Sequence, residues 1–209
     1  MTIPMSRYSC VIVLMLPLLV GMIGGGASQK AHSGPASAYY PLAKGNTWTY
    51  RVRSASGAQS STVRWRVTSA KPSREGIVYQ VWPTRSDSDD EAMVLLTSAE
   101  GIEELSSHVF VLKSSLSSGE KWASEKTSDS PPRFFEILAV HQPCRAGPIS
   151  SDDCVTVEDK DETIHLRTVT TYARGIGPIR YTYFRTNAAP ASHAIPSSTV
   201  ELLSYHLVR

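Results

Sequence analysis

The residue types that do chemistry are present but scattered. Six histidines occur, His32, His108, His141, His165, His193 and His206, and none stands at metal-ligand spacing from another. Neither His-Glu-x-x-His nor Gly-x-Ser-x-Gly is found. A hydrolase assembled from distant residues would need His141 or His165 in a cleft, within hydrogen-bond reach of a Ser or Asp. Gly175-Ile176-Gly177 has the core form of a phosphate loop. That chemistry needs a strand-to-helix junction and a third glycine or a Lys-Ser/Thr, and here a strand pattern follows instead. Asp87, Asp89, Asp90 and Glu91 form an acidic knot without the glycine and distant glutamate of a calcium loop, and read as a solvated turn. No cofactor, metal or catalytic residue is expected.

Cysteine placement says more. Arg7 precedes an apolar run over residues 11–23, followed by Gly24-Gly25-Gly26-Ala27-Ser28. A positive start, a short apolar stretch and small residues after it describe a secretory signal peptide over residues 1–27. Gly25 and Ala27 suit a cut before Ser28, and Ala36-Ser37-Ala38 ranks second because it lies far from the apolar run. The run is short for a membrane span, and an uncleaved anchor is the alternative. Cys10 lies before the apolar run, where it would not be lipidated, and leaves with the signal. Cys144 and Cys154 remain, an even pair in an oxidising compartment, which favours a disulfide over free thiols or a metal site.

The positions between must be held by strands. Thr47, Thr49 and Arg51 alternate with Trp48, Tyr50 and Val52, and Val63, Trp65 and Val67 alternate with arginine and threonine. That is period two, with one face in water. Residues 76–82 carry Ile77, Tyr79 and Val81 on one side and Val78 and Trp82 on the other. Residues 92–97 and 101–105 pattern as a hairpin across Ser98-Ala99-Glu100. Further strands are expected at residues 108–113, 134–141, 154–158, 163–172, 179–184 and 199–208. Asp159-Lys160-Asp161-Glu162 is read as a charged turn, and residues 187–198 as a Pro/Ala/Ser loop. The clearest turn is Ala173-Arg174-Gly175-Ile176-Gly177-Pro178, where glycine opens backbone angles closed to other residues and proline removes a donor. The sum is an all-β domain over residues 39–209, an antiparallel meander curled into a half-barrel or sandwich, after a flexible leader at residues 28–38.

With 209 residues, 41% of them hydrophobic, one domain can carry a genuine core. A formal charge of +2 supplies no field for nucleic acid, so no nucleic-acid partner is expected. Membrane contact is expected only through an uncleaved signal segment.

Pro41-Leu42 with Gly45-Asn46-Thr47-Trp48-Thr49-Tyr50 resembles the opening P-L-x-x-G-N-x-W-x-Y of small exported bacterial β proteins. Ala173-Arg174-Gly175-Ile176-Gly177-Pro178-Ile179-Arg180 resembles their late Y-A-x-G-V-G-x-V-K. Gly147 to Cys154 matches their Gly-Thr/Ser-aromatic-x-x-Cys step loosely, without the aromatic and with a longer spacing. The resemblance implies an antiparallel β fold in the cell envelope, periplasmic or extracellular. It implies no activity, and gives the motif residues structural parts: a turn glycine, a core tryptophan and a hairpin.

Aromatic residues fall repeatedly in strands. If the sheet curls, its concave face is aromatic, and is either a filled core or a lipid-type pocket. Trp65, Trp82, Tyr79 and Tyr181 are the candidate ligand-binding residues. The reading is a non-enzymatic envelope protein that binds a lipid-like ligand or an envelope-protein segment. The alternative is an assembly factor acting through a sheet edge. Mass measurement of the protein taken from its host's envelope is expected to give a chain beginning at Ser28.

Overall fold

The computed structural model describes residues 35–57, 60–84, 91–124, 132–185 and 196–208. The signal peptide, the leader up to residue 34, the acidic knot except Glu91, and most of the loop at 187–198 lie outside the described residues.

Twelve strands form one antiparallel sheet. In chain order they are β1 (Thr47–Ser54), β2 (Ser60–Pro72), β3 (Ile77–Thr84), β4 (Met93–Thr97), β5 (Gly101–Glu104) and β6 (Val109–Lys113). Then come β7 (Lys121–Ala123), β8 (Phe134–Ala146), β9 (Ile149–Asp161), β10 (Leu166–Ala173), β11 (Gly177–Arg185) and β12 (Pro196–His206). The spatial order is β6-β5-β4-β3-β2-β1-β12-β11-β10-β9-β8-β7. Every strand pairs with its neighbours in sequence except β6 and β7, which do not pair with each other, and the first strand pairs with the last. The sheet's two edges, β6 and β7, are therefore consecutive in the chain. The sheet curls until they face one another, bridged by the Trp122 indole, which donates to Phe110 O at 2.8 Å. The expected curled meander is the observed architecture.

The inward parity is that expected from the alternation. Trp48, Tyr50, Val67, Val81, Leu95 and Ile102 are fully buried, as are Leu112, Ile137, Ile179 and Leu202. The leader ends sooner than residue 38. Ala36–Tyr39 forms a helical turn, α1, and Ala36 and Tyr39 are buried. It packs against both β5 and β11, which puts it inside the curl. Gly175 N donates to Ala38 O at 2.7 Å, and the Tyr40 ring lies edge-on to Trp48 at 5.8 Å. Four residues carry no helical periodicity, so the pattern could not announce this plug.

Two further expectations are corrected. The strands expected over residues 134–141 and 154–158 run on through the cysteines to the tip of one long hairpin: β8 and β9 are each 13 residues long and turn at Gly147-Pro148. Cys144 and Cys154 are disulfide-bonded across it, their Cα atoms 6.1 Å apart. The charged turn lies later, at residues 162–165, because β9 continues through Asp161. That shift turns Asp159 and Asp161 inward with Val157, while Glu158 and Lys160 face out and pair with each other.

The turn between β10 and β11 is fixed from inside the curl. Trp48 Nε1 donates to Ile176 O at 2.6 Å and Tyr50 Oη donates to Pro178 O at 2.8 Å. Between these carbonyls, Gly177 has φ +112°, and a Cβ there would stand 2.9 Å from Trp48 Nε1. Gly177→Ala therefore strains the backbone and pushes the indole off its acceptor. It is expected to lower stability by about 2–4 kcal/mol, read from the midpoint of urea unfolding.

Candidate functional site

A cleft of about 370 Å³ opens on the concave side of the sheet. By the space water takes in the liquid, it would hold roughly a dozen waters. Its floor is buried: Leu95, Phe135, Val157 and Tyr172 are each less than 5% exposed. One wall is aromatic. Trp65 lies 5.6 Å from Tyr181, and both rings rest on Tyr50, at 5.2 Å and 6.0 Å. The tilted and edge-on ring geometries are those that aromatic quadrupoles favour. Tyr183, Met93, Val111 and Leu166 add to the apolar lining. Burial pushes the Tyr172 and Tyr181 hydroxyls well above the usual phenol range, so both stay neutral at physiological pH.

The mouth is charged. Arg133 Nε donates to Asp159 Oδ1 at 3.2 Å and a terminal guanidinium nitrogen donates to Oδ2, so the guanidinium is doubly committed. Its face also lies over Phe135, 5.4 Å from the ring centre. Burial pushes the Asp159 carboxyl up more than Arg133 pulls it down. Glu104 and Asp161 complete the mouth.

The four candidate residues divide. Trp65 and Tyr181 line the cleft together. Tyr79 faces inward but lines a separate hollow of about 640 Å³ at the other end, with Asn46, Thr97 and Val208. That hollow is the larger of the two. Its walls carry no charged side chain and only two aromatic rings, Tyr79 and Tyr205, so the smaller cleft has the richer binding chemistry. Trp82 points outward and is 43% exposed, so it cannot share a site with Trp65. The reason is parity: Tyr79 and Trp82 are three residues apart on one strand and so face opposite ways. Sequence reasoning missed Arg133, Asp159, Glu104 and Asp161. A strand reading extended through Asp161 would have turned the two aspartates inward.

His141 and His165 do not form a hydrolytic centre among the described residues. His165 lies exposed in the turn before β10. His141 does meet an Asp, its Nδ1 standing 2.9 Å from Asp153 Oδ1 and 3.1 Å from Tyr39 Oη, but its side chain is 62% exposed and it lies outside the cleft. Asp153 also accepts from Tyr39 Oη at 2.6 Å and from Arg174 at 3.1 Å. This cluster ties α1 to the disulfide hairpin and to the turn after β10. Among the described residues, no group of three or more His, Cys, Asp and Glu could hold a metal ion.

The sheet edges are guarded. Phe110 O is taken by Trp122, and Val111 O accepts from Tyr172 Oη at 3.3 Å. β7 is three residues long, and β8 beyond it carries three register shifts and Pro143. Bulges, proline and short edges are how sheets avoid pairing with other chains, which counts against the strand-addition alternative.

The sequence matches no protein-family model and no curated protein. Two solved structures resemble the backbone. One, from Bacteroides fragilis and described as an exported protein with a YmcC-like fold, has a TM-score of 0.47 and 12% identity over 85% of this chain and 100% of its own. The other, from Parabacteroides distasonis and described as a lipoprotein, has a TM-score of 0.40 and 10% identity over 80% of this chain and 98% of its own. At these scores neither likeness bears on function.

The Tyr39 hydroxyl, with His141 and Arg174 behind it, holds the Asp153 carboxyl down to about 2. A depressed folded-state value means the contribution is complete above the ordinary carboxylate range and is lost as pH falls through about 2. Asp153→Asn is therefore expected to lower the melting temperature at pH 7 and to flatten its fall between about pH 4 and pH 2, followed by circular dichroism.

Proposed function

We propose that this is an exported cell-envelope protein that binds an apolar or amphiphilic small molecule in the cleft between β2, β11 and the β8–β9 pair. The observation that carries the reading is the unfilled aromatic cleft. Small barrels usually fill themselves with side chains, and this curl leaves about 370 Å³ lined by Trp65, Tyr181, Tyr183 and Phe135. Apolar walls with a few polar groups at the mouth are the common form of a small-molecule site. Export rests on the signal-peptide pattern at residues 1–27 and agrees with the Cys144–Cys154 disulfide. The two motif resemblances point the same way, and their glycine and tryptophan do structural work at the turn after β10.

The test is native mass spectrometry of the protein from its host's envelope, combined with titration of a fluorescent alkyl probe. A co-purifying mass of lipid size and saturable one-to-one probe binding are expected. Trp65→Ala is expected to weaken the probe about five- to thirty-fold, the loss of one aromatic wall, while Trp82→Ala leaves it unchanged. A bare chain that binds no probe would end the reading.

A further inference from the structure

The charge at the cleft mouth is unbalanced. Glu104, Asp159 and Asp161 face one cation, Arg133. All three carboxylates lie within electrostatic reach of that guanidinium, so they form one cluster. Arg133 is already doubly hydrogen-bonded to Asp159. Glu104 accepts from the hydroxyls of Ser106 and Ser107, and Asp161 from the amides of Thr163 and Ile164. Those donors are neutral, and among the described residues neither carboxylate has an ion-pair partner. The aromatic rings of Trp65, Tyr181 and Tyr183 line the same cleft.

Resting on the binding reading above, we infer that the ligand is an organic cation: an amphiphile or small molecule with an amine or quaternary ammonium end. Its cationic end sits between Glu104, Asp161 and the aromatic wall, and its apolar body lies over Tyr172 and Phe135. Two attractions then act together, the excess of carboxylate and the ring quadrupoles, which draw cations more strongly where water is excluded. An anionic head would meet three carboxylates to reach one committed guanidinium. The whole chain carries only +2, which gives no field that would draw in cations, so a preference for cations has to arise in the cleft.

The test compares three probes of one chain length on the full chain, by calorimetry below their micelle concentrations: dodecyltrimethylammonium, dodecyl maltoside and dodecanoate. The cation is expected to bind at least about tenfold more tightly than dodecanoate. Glu104→Gln with Asp161→Asn is expected to erase most of that ratio while the maltoside affinity holds. Dodecanoate binding as well as the cation would overturn the inference and leave the cleft reading standing. No binding by any of the three would overturn both.

Discussion

Two inward side chains and one missing one hold this fold in register. From β1, Trp48 and Tyr50 reach beneath β12 and donate to the carbonyls of Ile176 and Pro178. The indole can lie there because Gly177 has no side chain and takes a φ closed to most residues. The Pro178 acceptor is buried, so losing the Tyr50 donor strands a carbonyl away from water, which costs more than the bond itself contributes. Through these contacts the first strand sets the position of a turn some 128 residues later. Asn46, next to them, does the same for the chain's end: its side-chain carbonyl takes the Val208 amide at 2.8 Å and its amide donates to Pro41 O at 2.6 Å.

The cleft is a by-product of this arrangement. The short plug α1 and Tyr40 pack inside the curl, Tyr40 against Trp48 and Tyr172. Nothing equivalent among the described residues fills the cleft itself. Its walls are the inward residues of strands that curvature brings face to face, β2 and β11 on one side and β8 to β10 on the other. Burying Tyr181 and Tyr172 together is affordable because phenols stay neutral. Burying Asp159 is tolerated only beside Arg133.

Much of this could be read in the chain. Alternation alone placed Trp48, Tyr50, Val63, Trp65 and Val67 inward, and glycine and proline marked the turn before Ile179. Cysteine count and compartment foretold the Cys144–Cys154 bond. The hairpin that carries it escaped detection because Gln142, Pro143 and Ser150 to Asp153 break the apolar pattern. There the bulged ladder and the disulfide hold the strands, with only Ala146 and Cys154 of the tip fully buried. The cleft was half visible. Trp65 and Tyr181 lie on strands with clear faces, but that those faces meet is a fact of curvature, to which period two is blind. Four consecutive charged residues look like a turn until Asp159 and Asp161 are seen to share the parity of Val157.

The pairing of β1 with β12 also governs how the molecule can be made. β2 can cover one side of β1 early, but the other side stays bare until the last strand arrives, and so does the outer side of β11. A ribosome or a translocon delivers residues in order, so the ring cannot shut until its final dozen residues are free. Until then two long hydrogen-bonding edges, rich in tryptophan and tyrosine, stand open, and such edges invite association with other chains. A chain cut short before Pro196 would keep both edges open, however well the remaining hairpins formed.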